Sequence, residues 1–173
     1  HIIEKIPKIK IILYNFEKLS SFLFTPEFIS KLVVDFPQNI IGVKDSSYNL
    51  FQNLKIKNFL IFPGTEAKLL DGLKLGCSGT ISAVTQVTHS LARKVFDDFE
   101  KKKEQSHNEK LIAVRKTFDK HNLISALHSY FSIKEIKFKN ILPPLVLLSD
   151  NDKKDLISEL DNLNFEISKN EAA

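Results

Sequence analysis

Apolar positions along the first hundred residues fall into two alternating rhythms. Residues 9–15 (IKIILYN) form a β-branched apolar run and predict a strand. Thr25-Pro26-Glu27 then carries the marks of a helix start: a hydroxyl to cap, proline at the first helical position and an acid in the first turn. That helix is expected to reach Phe36 with Phe28, Leu32 and Val33 facing inward, and Pro37 to stop it. Residues 39–45 (NIIGVKD) predict a second strand, followed by a short helix over 50–56. Residues 58–63 (NFLIFP) predict a third strand and residues 79–84 (GTISAV) a fourth. Between these two, Leu69, Leu70 and Leu73 stand at helical spacing over 66–75, and Gly76 occupies the place of a helix-ending glycine. A helix over 88–103 comes next, with Leu91, Val95, Phe96 and Phe99 on one side.

Four strand–helix units imply parallel strands joined by right-handed crossovers, and the continuous apolar runs fit strands covered on both faces. An open doubly wound sheet and part of a (β/α)8 barrel both satisfy this pattern. From Gln105 onward the strand signal stops. Helices are expected over 110–118, 122–131 and 150–163, with Ser149 and Asp152 forming a capping box and Pro143-Pro144 a rigid break. The charged run 100–110 reads as a solvated helix end and loop.

Composition narrows the class. With 43% hydrophobic and 27% charged residues, the 173-residue chain is ordinary for a soluble globular protein with a real core. No apolar run approaches the ~18–20 residues of a membrane span. A single cysteine, Cys77, builds no internal disulfide framework, so a cytoplasmic setting is expected. The net charge is +4, but the cations are nearly all lysines scattered among acids, and Arg93 and Arg115 are the only arginines. That distribution argues against a nucleic-acid footprint. The chain contains no Met and begins at His1 with what reads as the tail of an amphipathic helix, so a fragment or processed form is expected.

Lys44 is the most informative position. It ends the run Ile40-Ile41-Gly42-Val43, and strand alternation puts Gly42 and Lys44 on one face, Ile41 and Val43 on the other. If the aliphatic face packs on helices, Lys44 points into a barrel near its C-terminal rim, where a desolvated lysine attacks a carbonyl as the free amine. The plainer alternative is a strand-end lysine reaching into solvent. Tyr14 holds the analogous place on the first strand, suited to proton relay or, more plainly, to the core. Gly64 ends the third strand, where a backbone can approach a ligand or simply turn. Asp45, Ser46 and Ser47 follow the lysine, able to hold substrate hydroxyls or to cap a helix. The five histidines lack partners at metal-ligand spacing. Gly76-Cys77-Ser78-Gly79 lies between a helix and a strand, the wrong junction for a phosphate cradle.

Taken together, these residues resemble the dihydrodipicolinate synthase/N-acetylneuraminate lyase family. ILYN at 12–15 looks like its tyrosine-bearing fifth barrel strand, and IIGVKDSS at 40–47 like the sixth strand with the Schiff-base lysine. FPGTEAKLLDGLKLGCSGTIS at 62–82 resembles the seventh strand, its helix and the eighth strand; LPPLVLLS at 142–149 resembles a segment of the C-terminal helical extension. The resemblance implies the C-terminal half of a (β/α)8 barrel over 1–104 and a helical extension over 105–173, with the first four strands upstream. It implies that Lys44 condenses with pyruvate or a 2-keto acid, that Tyr14 shuttles the proton, and that the carbonyl of Ile81, the backbone near Gly64, Ser46 and Ser47 line the pocket. The covalent imine is the electron sink, so no metal or organic cofactor is expected. Partners would be a small keto acid and an aldehyde, with a dimer or tetramer for the full-length protein, no nucleic acid and no membrane.

Two positions depart from the family pattern: Glu17 stands where proline is usual, and Leu19 where the synthases carry an arginine for the aldehyde's carboxylate. Leu19 favours a 2-keto-3-deoxy sugar-acid or related aldolase. The alternatives are the 4-hydroxy-tetrahydrodipicolinate synthase of lysine biosynthesis, a non-catalytic homologue, and a basic helical adaptor. The chain by itself is expected to be inactive and poorly soluble.

Overall fold

Three of the apolar runs become parallel strands, β1 (Ile11–Asn15), β2 (Ile40–Asp45) and β3 (Leu60–Pro63), side by side in that order. Their registers align Leu13, Val43 and Ile61 in one row, and Tyr14, Lys44 and Phe62 in the next. Because strand side chains alternate, adjacent rows point to opposite faces. The Leu13–Val43–Ile61 row packs into a core with Ile29, Leu50, Phe51, Leu54, Phe59 and Cys77. On the other face Ile12, Tyr14 and Leu60 stay exposed. These features belong to a computed structural model that describes residues 1–166. The chain divides into two packing units, His1–Ser82 and the part from Ala83 onward.

The first unit also holds α1 (Ile2–Lys5), α2 (Glu17–Ser20), α3 (Pro26–Asp35) and α4 (Leu69–Lys74), the last entered through a 3-10 turn at Glu66–Lys68. Thr25 caps α3 as expected, its Oγ1 accepting from Phe28 N at 3.2 Å. The inward face of α3 centres on fully buried Ile29, with Leu32 and Val33 beside it. Phe28, assigned inward from spacing, is partly exposed and meets Phe22 and Phe24 instead. It lies in the first turn, where the preceding loop supplies those aromatic neighbours. On α4, Leu69, Leu70 and Leu73 are all buried, and Gly76 adopts φ +89°, the left-handed conformation of a helix-ending glycine.

Two expected elements do not form. Residues 50–56 make a turn rather than a helix: after the bonds from Asn53 N and Leu54 N to Leu50 O the helical path is not continued. Residues 79–84 build no fourth strand, 79–82 having no regular structure and Ala83-Val84 turning into the next helix, so the sheet has three strands among the described residues. Ser78 N donates to Ile61 O and Ile81 N to Pro63 O. These donors are three residues apart and their acceptors two, a mismatch that breaks a regular ladder at Gly79 and Thr80.

The second unit is helical: α5 (Thr85–Glu100), α6 (Asn108–Asp119), α7 (Leu123–Phe131) and α8 (Asp150–Asn162). The first begins and ends three residues earlier than its spacing suggests, because Val84 and Val87 join a core with Val114, Phe118, Leu127, Leu156 and Leu160. That core also moves the packing boundary to Ser82, ahead of residue 104 where the strand–helix alternation ends in sequence. Asn122 and Ser149 cap α7 and α8; Ser149 Oγ accepts from Asp152 N at 3.1 Å and donates to Asp152 Oδ2 at 2.6 Å, so the expected capping box forms its serine half while the Asp152 carboxylate takes the hydroxyl in place of the Ser149 N–H. Among the described residues no helix is long and apolar enough to cross a membrane.

Candidate active site

The parallel pairing of β1 and β2 sets Tyr14 directly beside Lys44 on the open face of the sheet. Lys44 Nζ lies 4.1 Å from the centroid of the Tyr14 ring, a cation–π distance. Lys44 is half-buried, and no carboxylate of the described residues forms an ion pair with it. Tyr14 is 46% exposed, its ring also 5.7 Å from Phe16. An amine and a phenol therefore share the C-terminal end of two neighbouring strands, on the face away from the core.

The opposite face of the same strand ends is tied down by a buried polar network. Asp45 is fully buried, and its Oδ1 accepts from Asn15 Nδ2 and Tyr48 N, its Oδ2 from Leu50 N and Phe51 N, each at 2.9 Å. Asn15 Nδ2 also donates to Asn49 Oδ1 at 2.7 Å, and Asn15 Oδ1 accepts from Phe24 N at 3.1 Å. Asn49 Nδ2 returns to Phe24 O at 2.9 Å. One residue after each candidate catalytic group, then, a buried side chain locks the strand end, the following turn and the loop before α3 into one unit. Of the two roles open to Asp45, the carboxylate serves the backbone.

The remaining candidates occupy the same rim. Gly64 N donates to Asp45 O and Ser46 N to Asn15 O, both at 2.8 Å, extending the ladder past the strands. A Cβ on Gly64 would stand 2.2 Å from Ser46 Oγ and 2.9 Å from Ser46 Cα, so only glycine fits. Ser46 and Gly64 are thus in contact. Ser47 turns toward α2, its Oγ accepting from Glu17 N at 3.0 Å. Ile81 sits past the end of β3, held by its N–H on Pro63 O, with Thr80 Oγ1 on the same carbonyl. The geometry pairs Lys44 with Tyr14 and Ser46 with Gly64, sets Ile81 beside Pro63, and directs Ser47 to the start of α2. Leu19 on that helix is 75% exposed.

Sequence reasoning overlooked Asn15, Asn49 and Tyr48. Asn15 carried a signal: a polar residue closing an apolar strand on its inward parity needs a buried partner. Tyr48 adopts φ +61°, a conformation that favours glycine, and no residue type in the sequence announces it. Cys77 lies apart from this chemistry. Burial pushes its thiol above the usual range, and its Sγ rests 3.7 Å from Phe51 O. Among the described residues no group of three His, Cys, Asp or Glu is placed to hold a metal ion.

Comparison with known proteins gives a consistent picture. A model described as the dihydrodipicolinate synthetase family matches residues 1–163. The 4-hydroxy-tetrahydrodipicolinate synthase of Wigglesworthia glossinidia brevipalpis is 38% identical over 81 residues, covering 44% of this chain and 26% of that protein. The synthase of the same name from Thermus thermophilus is 34% identical over 83 residues, 45% of this chain and 27% of that one. Among solved structures, YagE, a prophage protein of the dihydrodipicolinic acid synthase family from E. coli K12 in complex with pyruvate, superposes with a TM-score of 0.79 at 20% identity. It covers 91% of this chain, which spans 57% of that structure. The lysine-bound DHDPS from Cyanidioschyzon merolae gives 0.80 at 17% identity, covering 94% of this chain and 57% of its own. These matches therefore span about a quarter of the curated relatives' length and somewhat over half of the solved chains. On a family match that runs nearly end to end, the chain belongs to the dihydrodipicolinate synthetase family.

Proposed function

We propose that the protein containing this chain is a Schiff-base-forming lyase of the aldolase type, acting on pyruvate or another 2-keto acid and an aldehyde. The observation that carries the reading is the Lys44 amine held 4.1 Å over the Tyr14 ring at the ends of two paired strands. In this reading the deprotonated Lys44 amine adds to the keto carbon, and loss of water leaves a protonated imine. That imine draws electrons from the adjacent carbon, which gives up a proton to form an enamine. The enamine carbon bonds to the aldehyde, and water then releases the product from Lys44; cleavage runs the same steps backward. Tyr14 carries the proton at each stage through its hydroxyl. Ser46, Ser47, the Gly64 backbone and the Ile81 carbonyl complete the lining. The chemistry asks for no metal or organic cofactor, since the imine itself is the electron sink. The whole protein works in the cytoplasm as a dimer or tetramer.

Leu19 supports a 2-keto-3-deoxy sugar-acid or related substrate, because an exposed aliphatic side chain offers a carboxylate-bearing aldehyde nothing to pair with. A second reading, 4-hydroxy-tetrahydrodipicolinate synthase, is supported by the names of the curated relatives. Turnover by the whole protein separates them: the first reading expects sugar-acid cleavage, the second condensation of pyruvate with aspartate semialdehyde. In either case Lys44→Ala abolishes turnover. Tyr14→Phe keeps the ring under the ammonium and removes only the hydroxyl, so kcat is expected to fall by roughly a hundredfold or more. Full activity in the Lys44 variant would refute the proposal, and absence of turnover with every keto acid would favour a non-catalytic homologue.

A further inference from the structure

Two contacts hold the Tyr14 ring, and one of them lapses during the reaction. The first is the Lys44 ammonium, 4.1 Å from the ring centroid. A cation–π attraction needs the positive charge. The Schiff-base reading requires Lys44 to add to the keto carbon as the neutral amine, so this attraction is gone when the phenol must already be in place. Burial does not replace it. Tyr14 is 46% exposed, on a face where Ile12 and Leu60 are exposed too. An aromatic side chain in that setting is free to rotate its hydroxyl away from the amine unless something else restrains it.

The second contact is the Phe16 ring, its centroid 5.7 Å from that of Tyr14 at an interplanar angle of 38°. Contact between two uncharged rings persists whether or not Lys44 carries its proton. Phe16 comes directly after β1, and its backbone is pinned on both sides. Asn15 before it is fully buried and bonded through both amide atoms. Glu17 after it donates its N–H to Ser47 Oγ at 3.0 Å, three residues past Lys44. Phe16 O accepts from Leu19 N, Ser20 N and Ser20 Oγ, each at 3.0 Å. The half-buried Phe16 side chain belongs to neither hydrophobic core. A rigid backbone therefore sets a large aromatic ring against Tyr14 rather than into the interior.

We infer that Phe16 is a positioning residue for proton transfer, its ring holding the Tyr14 phenol in place while Lys44 is uncharged. This rests on the Schiff-base reading and deepens it. Phe16 acts through Tyr14, so its loss slows the proton transfers and leaves the equilibrium amount of imine on Lys44 as it was.

The test uses the whole protein with pyruvate alone in D2O. Each passage from imine to enamine and back exchanges a methyl proton of pyruvate for a solvent deuteron, which NMR follows. Phe16→Leu keeps an apolar side chain and removes the ring. Its exchange rate at saturating pyruvate is expected to fall roughly five- to tenfold, with the half-saturating pyruvate concentration and the final yield of borohydride-trapped adduct on Lys44 unchanged. Phe16→Tyr keeps the ring and is expected to retain the wild-type rate, which separates the lost ring contact from lost fold. Tyr14→Phe removes the hydroxyl that Phe16 positions, so adding Phe16→Leu to it is expected to slow exchange no further. An unchanged rate in Phe16→Leu, or a loss that recurs in full on top of Tyr14→Phe, would overturn the inference while leaving the Lys44 reading intact. Failure of the wild-type protein to trap pyruvate would overturn both.

Discussion

Asp45 accepts four hydrogen bonds in a fully buried position, and three of its donors are backbone N–H groups of the turn that follows β2. Asp45→Ala strands those donors and is expected to destabilise the first unit by about 3 kcal/mol in urea unfolding. Asp45→Asn should cost nearly as much, since one side of the amide would face donors with a donor. A second consequence concerns Cys77, whose buried thiol ionises less readily than an ordinary one. The unfolded thiol loses its proton near its ordinary value of 9.0, whereas the folded one keeps it to higher pH. In that window the folded state binds more protons, so stability is full below about pH 9 and falls as pH rises toward the folded value. Unfolding measured across alkaline pH should show this slope, and Cys77→Ala should flatten it. Both expectations grow from residues that the sequence displays without explaining. KDSS is legible as a strand end, but which backbone groups the Asp45 carboxylate meets depends on a turn that only tertiary packing defines.

Secondary structure was most legible where a cap or a long apolar stripe backs it. Thr25-Pro26 and Ser149 mark their helices by local chemistry, and the three strands were visible as β-branched runs. The segments 50–56 and 79–84 carried the right residue types and still formed neither helix nor strand. In the first, helical hydrogen bonding stops after one turn; in the second, mismatched donor and acceptor spacing prevents a ladder. Neither signal is periodic, so neither is local to the sequence. Between α6 and α8, the bond from Lys120 Nζ to Glu159 holds the Glu159 carboxyl below its ordinary value, with opposing desolvation a lesser effect. The unfolded Glu159 takes up a proton near its ordinary 4.5, before the folded one does. Its contribution is therefore present above about pH 4.5 and lost as pH falls through the lower folded value. Thermal melts from pH 6 to pH 3 should lose this increment, and Glu159→Gln should remove that part of the pH dependence. The effect will be small, since the pair is solvent-screened.

At the scale of the molecule, the sheet has one packed face and one open one. Ile12, Tyr14 and Leu60 are exposed on the open side, with the half-buried Lys44 among them. Side-chain alternation foretold that face, but the sequence could not say what covers it. The isolated 173-residue chain is expected to bind a hydrophobic dye and to self-associate in sedimentation, because an uncovered apolar face and unpaired strand edges favour association. A monodisperse, dye-negative chain would contradict this. The claim that joins all three scales is that Lys44 is a nucleophilic amine toward keto acids. Its most direct test is to incubate the whole protein with pyruvate, reduce with borohydride and map the product by mass spectrometry. The account predicts one pyruvate-derived adduct, on Lys44, absent without reduction; an unmodified Lys44, or an adduct on a different lysine, would contradict it.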